Sequence, residues 1–173
     1  MRMPAILVLT AVCGLSIGDG LSAQGGAQPA KTFASAAEVE AMINKAKTER
    51  KPDQANFIQQ IVRLAPYNAN LEYRVAGIDT PATQHETEAE LVFVVDGAAT
   101  FVSGGKLTEA QRTNPTNFSG KEVEGGTPQR ISKGDYVFIP ENTPHAFRKT
   151  EGRLVIMSIH MPRGGMSGAG HQP

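Results

Sequence analysis

Four histidines stand in this 173-residue chain, at positions 85, 145, 160 and 171, and two of them lie in sequence suited to building a site. His85 sits in Thr83-Gln84-His85-Glu86-Thr87-Glu88-Ala89-Glu90, directly before an apolar run. His145 closes Gly134-Asp-Tyr-Val-Phe-Ile-Pro-Glu-Asn-Thr-Pro-His145, beside a turn. Neutral imidazoles and a carboxylate brought together from two separate segments can hold a divalent ion. One spacing sets a condition. His85 and Glu90 are five residues apart, so on one regular strand they face opposite ways. Both point inward only if the chain bends between them, and residues 86–89 have little apolar character to resist a bend.

His160 ends the run Leu154-Val-Ile-Met-Ser-Ile-His160, where alternation puts it on one face with Leu154, Ile156 and Ser158. The plain expectation is a strand-end histidine partly in water; the alternative is a metal ligand or a group that orients one. Glu86 and Glu88 read as a solvated acidic turn. Tyr73 and Arg74 are adjacent on a strand, so at most one enters a pocket. Phe93, Phe101 and Phe138 are expected in a wall or core, and His171 has no case for function. The glycine pairs at 104–105 and 125–126 lack the strand–loop–helix setting that cradles phosphate, so they read as turns. No nucleotide-binding glycine motif, nucleophile elbow or zinc-protease helix is present.

The elements that must hold these residues are mostly strands. Ser35-Ala-Ala-Glu38 fits a capping box, and Val39, Met42, Ile43 and Ala46 recur at helical spacing, so one helix is predicted over about 36–50. Strand-like segments follow at 57–64, 71–78, 90–95, 98–103, 118–124, 127–132, 136–140 and 153–161. Asp96-Gly97 predicts a hairpin between the third and fourth of these, and Gly125-Gly126 another between the fifth and sixth. Residues 106–117 read as irregular. Many short strands joined by turns imply a closed barrel or a sandwich.

Lys+Arg and Asp+Glu are both 17, which argues against a nucleic-acid binder working through a broad basic face and against an acidic solvating tail. Residues 1–23 read as an export signal, with Arg2, an apolar run over 5–15 and small residues near Ala23. That run is too short to span a bilayer, which takes about 20 helical residues, so no stable membrane insertion is expected. Cleavage there removes Cys13, the single cysteine, and closes thiol chemistry in a periplasmic or secreted product. A flexible leader over 24–32, a folded part over 33–161 and a disordered tail over 162–173 complete the expected organisation.

The two histidine segments resemble the two motifs of the cupin superfamily. The first motif ends with a histidine, three or four residues, a glutamate, six residues and a glycine, matched here by His85, Glu90 and Gly97. The second is matched by Gly134, Pro140 and His145, with Asn142 and Lys149 in place of its second glycine and its asparagine. The resemblance spans about residues 70–161. It implies an all-β double-stranded β-helix, a jelly-roll barrel over about 55–161, with one N-terminal α-helix outside. It also implies a divalent metal ion (Mn, Fe, Ni or Zn) held by His85, Glu90 and His145. The family usually has one more histidine where this chain has Thr83, a poor ligand, so Thr83 or His160 is the candidate for a fourth ligand or a supporting partner. The implied function is an exported barrel binding a metal and a small molecule, leaning towards a metal-dependent enzyme of dioxygenase, isomerase or lyase type. The alternatives are a metal-free barrel for a sugar-like ligand and a purely structural barrel. Fold analogy does not choose among these, and it leaves a homodimer open.

Overall fold

The computed structural model describes residues 29–163. The expected export signal, the first part of the leader and nearly all of the tail, including His171, lie outside the described residues.

Helix α1 (Ala36–Glu49) starts where the capping box predicts. The Glu38 backbone N–H donates to Ser35 Oγ at 3.2 Å and the Ser35 N–H donates to the Glu38 carboxylate at 2.8 Å, so two otherwise unpaired helix donors are satisfied. Its narrow apolar stripe, centred on the buried Ile43 and Ala46, packs on the outer face of the sheet against Ile61, Leu71, Tyr73 and Val155.

Twelve strands follow. They are β1 (Asn56–Leu64), β2 (Tyr67–Val75), β3 (Ala82–His85), β4 (Glu88–Ser103), β5 (Lys106–Leu107) and β6 (Gln111–Asn114), then β7 (Asn117–Gly120), β8 (Val123–Glu124), β9 (Thr127–Ser132), β10 (Tyr136–Ile139), β11 (His145–Arg148) and β12 (Arg153–Pro162). One curled antiparallel sheet runs β1-β2-β12-β4-β11-β3-β7-β6, with β9 and β10 also paired to β4. Strands β1 and β6, at the ends of this path, are not hydrogen-bonded to each other. The interior of the curled sheet is filled by Val92, Val94, Phe101, Ile131, Phe147, Leu154 and Ile156, all buried. Among the described residues no helix is long and apolar enough to cross a membrane.

The predicted hairpin at Asp96-Gly97 does not form. Strand β4 runs straight through it, pairing with β12 and β10 over its first half and with β11 and β9 over its second. Gly97 is a crease, at φ +82°, next to a register shift opposite Val155/Ile156. A Cβ there would lie 1.9 Å from the Arg153 carbonyl oxygen, so only glycine allows the two strands to approach. The hairpin at Gly125-Gly126 is also replaced. Strand β7 pairs with β3 and β6, β8 pairs with β5, and β9 pairs with the second half of β4. The pair of glycines turns the chain between different sheet partners. Residues 106–117, expected to be irregular, supply the short strands β5 and β6.

Of the three phenylalanines expected in a wall or core, Phe101 is buried and Phe138 is not. Phe138 is 60% exposed, because β10 places it opposite Leu91, on the outward-facing parity of β4. Phe93 lies on that same outer side, its ring 4.7 Å from that of Tyr136.

Candidate metal centre

Five strands bring one cluster together on the concave side of the sheet. Thr83 and His85 come from β3, Glu88 and Glu90 from β4, Asn117 from β7, His145 from β11 and His160 from β12. Register fixes their levels: His145 stands opposite Thr83, His160 opposite Glu90, and His85 opposite Asn117. The bend required between His85 and Glu90 lies at Glu86-Thr87, where the strand hydrogen bonding breaks. It is held from outside by the Glu86 N–H donating to Thr116 O at 2.8 Å and the Arg163 N–H donating to Thr87 O at 2.6 Å.

Neighbouring carbonyls orient both motif imidazoles. His145 Nδ1 lies 3.0 Å from Thr143 O, and a carbonyl oxygen only accepts, so the proton is on Nδ1 and the Nε2 lone pair faces the cavity side, where the Thr83 hydroxyl lies 2.9 Å away. His85 Nδ1 does the same against Asn117 Oδ1 at 3.0 Å. The two freed nitrogens look at one carboxylate oxygen, Glu90 Oε2, at 3.3 Å from His145 and 3.8 Å from His85. Lone pairs facing a buried carboxylate repel one another unless a cation lies among them. Donor atoms about 2.1 Å from a common ion stand roughly 3.0–3.4 Å apart, so these separations fit with little movement. The three donor atoms of His85, Glu90 and His145 all lie within 4.8 Å of one another, and this group could hold a metal ion.

Thr83 does not behave as a spare ligand. Its Oγ1 lies 2.9 Å from His145 Nε2 and donates to that lone pair. His160, expected to be partly in water, is part-exposed at the cavity wall, its ring centroid 4.9 Å from that of His85. Its Nδ1 donates to the Glu88 carboxylate at 3.2 Å and its Nε2 faces Glu90 Oε1 at 4.0 Å. Glu88 stays part-exposed, and its carboxylate meets His160 diagonally across the β4–β12 pairing. Glu86 is at the surface, held by Arg112 at 2.8 Å. Of the pair Tyr73 and Arg74, Arg74 faces the cavity and Tyr73 packs under α1. Asn117 carried no signal in the sequence, since only the β3–β7 pairing sets it beside His85.

Thr83, His85, Glu90, Asn117, His145 and His160 line a cavity of about 370 Å³. Desolvation by burial pushes the His85 imidazole below its ordinary 6.5.

No known family's sequence profile matches the chain, and no curated protein does. Solved structures do. The DMSP lyase DddQ from Ruegeria pomeroyi DSS-3 superposes with a TM-score of 0.50 at 22% identity, over 83% of this chain and 71% of that one. A protein from Bacillus halodurans gives 0.50 at 16% identity, over 84% and 89%. A candidate sugar phosphate isomerase from Acidithiobacillus ferrooxidans gives 0.51 at 19%, over 74% and 73%. The fold is that of a cupin. The barrel bends β4 at Gly97, and the group that could hold a metal ion, His85, Glu90 and His145, draws on both histidine segments.

The lowered His85 value predicts a pH response for the metal-free barrel. The unfolded imidazole takes a proton near 6.5, whereas the folded one does so only at lower pH. The unfolded state therefore binds more protons below that point, and metal-free stability falls as pH drops through this window. Thermal unfolding of metal-free protein is expected at lower temperature at about pH 5.5 than at about pH 7.5, with His85→Gln flattening the difference. An unchanged slope in His85→Gln would assign the response to other groups.

Proposed function

We propose that this cupin barrel holds one divalent metal ion through His85, Glu90 and His145, and takes a small molecule into the adjoining cavity. The observation that carries the proposal is the meeting of two imidazole lone pairs on the buried Glu90 carboxylate, with both Nδ1 protons tied to carbonyl oxygens. A bound divalent ion would supply Lewis-acid polarisation of an oxygen on that molecule. Asn117 and Thr143 orient the imidazoles, Glu90 supplies the negative charge, and Glu88 aims His160 at the same group. Chemistry on the bound molecule, of lyase, isomerase or dioxygenase type, is the enzyme reading we prefer. The structural neighbours named above include a lyase and a candidate isomerase, so the shared fold supports small-molecule chemistry without choosing a reaction.

Protein purified after growth in metal-replete medium is expected to carry close to one ion per chain. Metal-free protein should gain thermal stability with at least one of Mn²⁺, Fe²⁺, Ni²⁺ or Zn²⁺, by roughly 2.7 kcal/mol at a hundredfold excess over Kd. No metal and no shift with any of them would overturn the proposal. One contact favours the second reading, a metal-free ligand-binding barrel: the Thr83 hydroxyl already occupies the His145 lone pair at 2.9 Å.

Export is part of the same proposal, supported by Arg2, the apolar run over 5–15 and the small residues before Gln24. Intact-mass measurement of the exported form is expected to show a chain starting near Gln24 with no cysteine. A cytosolic species that keeps residues 1–23 would refute it.

A further inference from the structure

The main sheet has open edges at β1, β6, β9 and β10, and the first three carry the features that keep an edge from pairing. Strand β1 is bulged between Gln60 and Val62 and bridged by Lys31 at Arg63. All of β6 is exposed and polar, and β9 carries Pro128 and Arg130. Strand β10 is different. Among the described residues it pairs only with β4, and it contains no charge and no proline. Two of its side chains are exposed aromatics, Tyr136 at 69% and Phe138 at 60%.

Register shows which backbone groups of β10 are free. The Val94 N–H donates to Asp135 O at 2.9 Å, and the pairing continues as Tyr136–Phe93, Val137–Val92, Phe138–Leu91 and Ile139–Glu90. Hydrogen-bonded pairs alternate along an antiparallel ladder, so Val137 and Ile139 bond to β4. Tyr136 and Phe138 therefore turn their N–H and C=O groups to the open edge. A second copy of the strand, running antiparallel about a two-fold axis at Val137, sets each Tyr136 opposite the partner's Phe138. Both pairs then exchange N–H and C=O groups in full. Neighbouring registers fall short. An axis at Tyr136 needs the Gly134 N–H, which already donates to Val94 O, and an axis at Phe138 sets Tyr136 against Pro140, which has no N–H.

We propose that β10 is the interface of a homodimer in which two copies of the chain join edge to edge and their sheets become continuous. A two-fold contact satisfies the edge in both copies and closes the assembly. On the outer face, the rows Phe93–Tyr136 and Leu91–Phe138 of one copy run into those of the other, covering apolar surface that is otherwise in water. Charge is complementary as well. Lys133 and Asp135 precede β10, and Glu141, held by Arg163 at 3.4 Å, follows it. Antiparallel pairing brings the start of one strand to the end of the other, so Lys133 approaches the partner's Glu141 and Asp135 the partner's Arg163. The two exposed rings of each copy offer roughly 250 Å². A standard interface takes about 800 Å² per partner, so the dimer is expected to be weak, with Kd in the micromolar range.

Sedimentation equilibrium of the purified protein over about 10–300 µM tests this, and the mass is expected to rise towards twice that of one chain. Phe138→Leu keeps an apolar side chain and the N–H that faces the edge. Phe138→Pro removes that N–H and none that bonds to β4, so it is expected to associate at least about tenfold more weakly than Phe138→Leu. Tyr136→Lys with Phe138→Lys sets like charges opposite each other in both pairs and is expected to remain a single chain throughout. Tyr136→Glu with Phe138→Lys sets opposite charges there and is expected to associate at least about tenfold more tightly than the double-lysine variant. Wild-type protein that keeps the mass of one chain at every concentration would overturn the proposal, as when a segment of its own chain covers the edge. Equal association of the proline and leucine variants, or of the two doubly charged variants, would overturn it too. Should Phe138→Pro fail to fold, as read by circular dichroism, the wild-type mass and the doubly charged variants decide.

Discussion

His145→Ala and His85→Ala are each expected to lose bound metal, with affinity down by more than about a hundredfold, while the barrel stays folded. The bound on that figure comes from the supporting contacts. Removing a group that only orients a ligand costs roughly 10–100-fold, which is the range expected for Asn117→Ala, and removing the ligand itself costs more. Glu90→Gln should also release the ion, since it takes the negative charge away from a group buried among imidazoles. The two remaining positions separate versions of the site. Thr83→His is expected to tighten binding, because position 83 shares a strand face with His85 and stands opposite His145. It also removes the hydroxyl that competes for the His145 lone pair. His160→Ala is expected to weaken binding about tenfold, as an imidazole at the cavity wall, aimed by Glu88, is lost. Metal content by mass spectrometry, with circular dichroism to verify folding, reads all of these. If His145→Ala or His85→Ala keeps stoichiometric metal, the ligand set is wrong. If His160→Ala binds as wild type does, His160 is a bystander.

The largest expected effect on stability comes from adding one methyl group at Gly97. There the new Cβ would lie 1.9 Å from Arg153 O and 2.8 Å from its carbonyl carbon, both backbone atoms of the paired strand. The conformation, φ +82°, is strained for any other residue as well. Neither problem can be relieved by moving a side chain, so β4 and β12 must separate where the sheet creases. Gly97→Ala is expected to destabilise by roughly 3–5 kcal/mol in urea or thermal unfolding. Gly134→Ala is the matched control. Gly134 also has positive φ, at +94°, but a Cβ there meets nothing within 4 Å. Only the backbone strain remains, about 1–2 kcal/mol. If the two substitutions cost the same, the close approach at the crease is not what holds β4 in its bent path. The crease matters for the site as well. It lets one strand present Glu90 on its first half and pair with the His145 strand on its second.

Features that depend on local chemistry were legible in the sequence. Ser35 and Glu38 announce the start of α1, because a capping box is satisfied within four consecutive residues. Alternation along 154–160 sets Leu154, Ile156, Ser158 and His160 on one face, since the pleat leaves no other choice. The odd spacing of His85 and Glu90 demands a bend between them, and the apolar-poor stretch that follows His85 supplies it. Strand partners depend on something else. Asp96-Gly97 specifies positive φ and a change of direction, and a hairpin turn and a sheet crease both satisfy that. The crease prevails because each half of β4 has its own partners elsewhere, β12 and β10 for one, β11 and β9 for the other. Those partners come from as far as Pro162, paired with Glu88, a separation that no turn signal reports. The same long-range pairings set Asn117 beside His85, turn Glu88 and His160 towards each other, and leave Phe138 on the outside. A residue type and its spacing carry what one segment must do; which segments meet is decided by the burial and hydrogen bonding of the whole sheet.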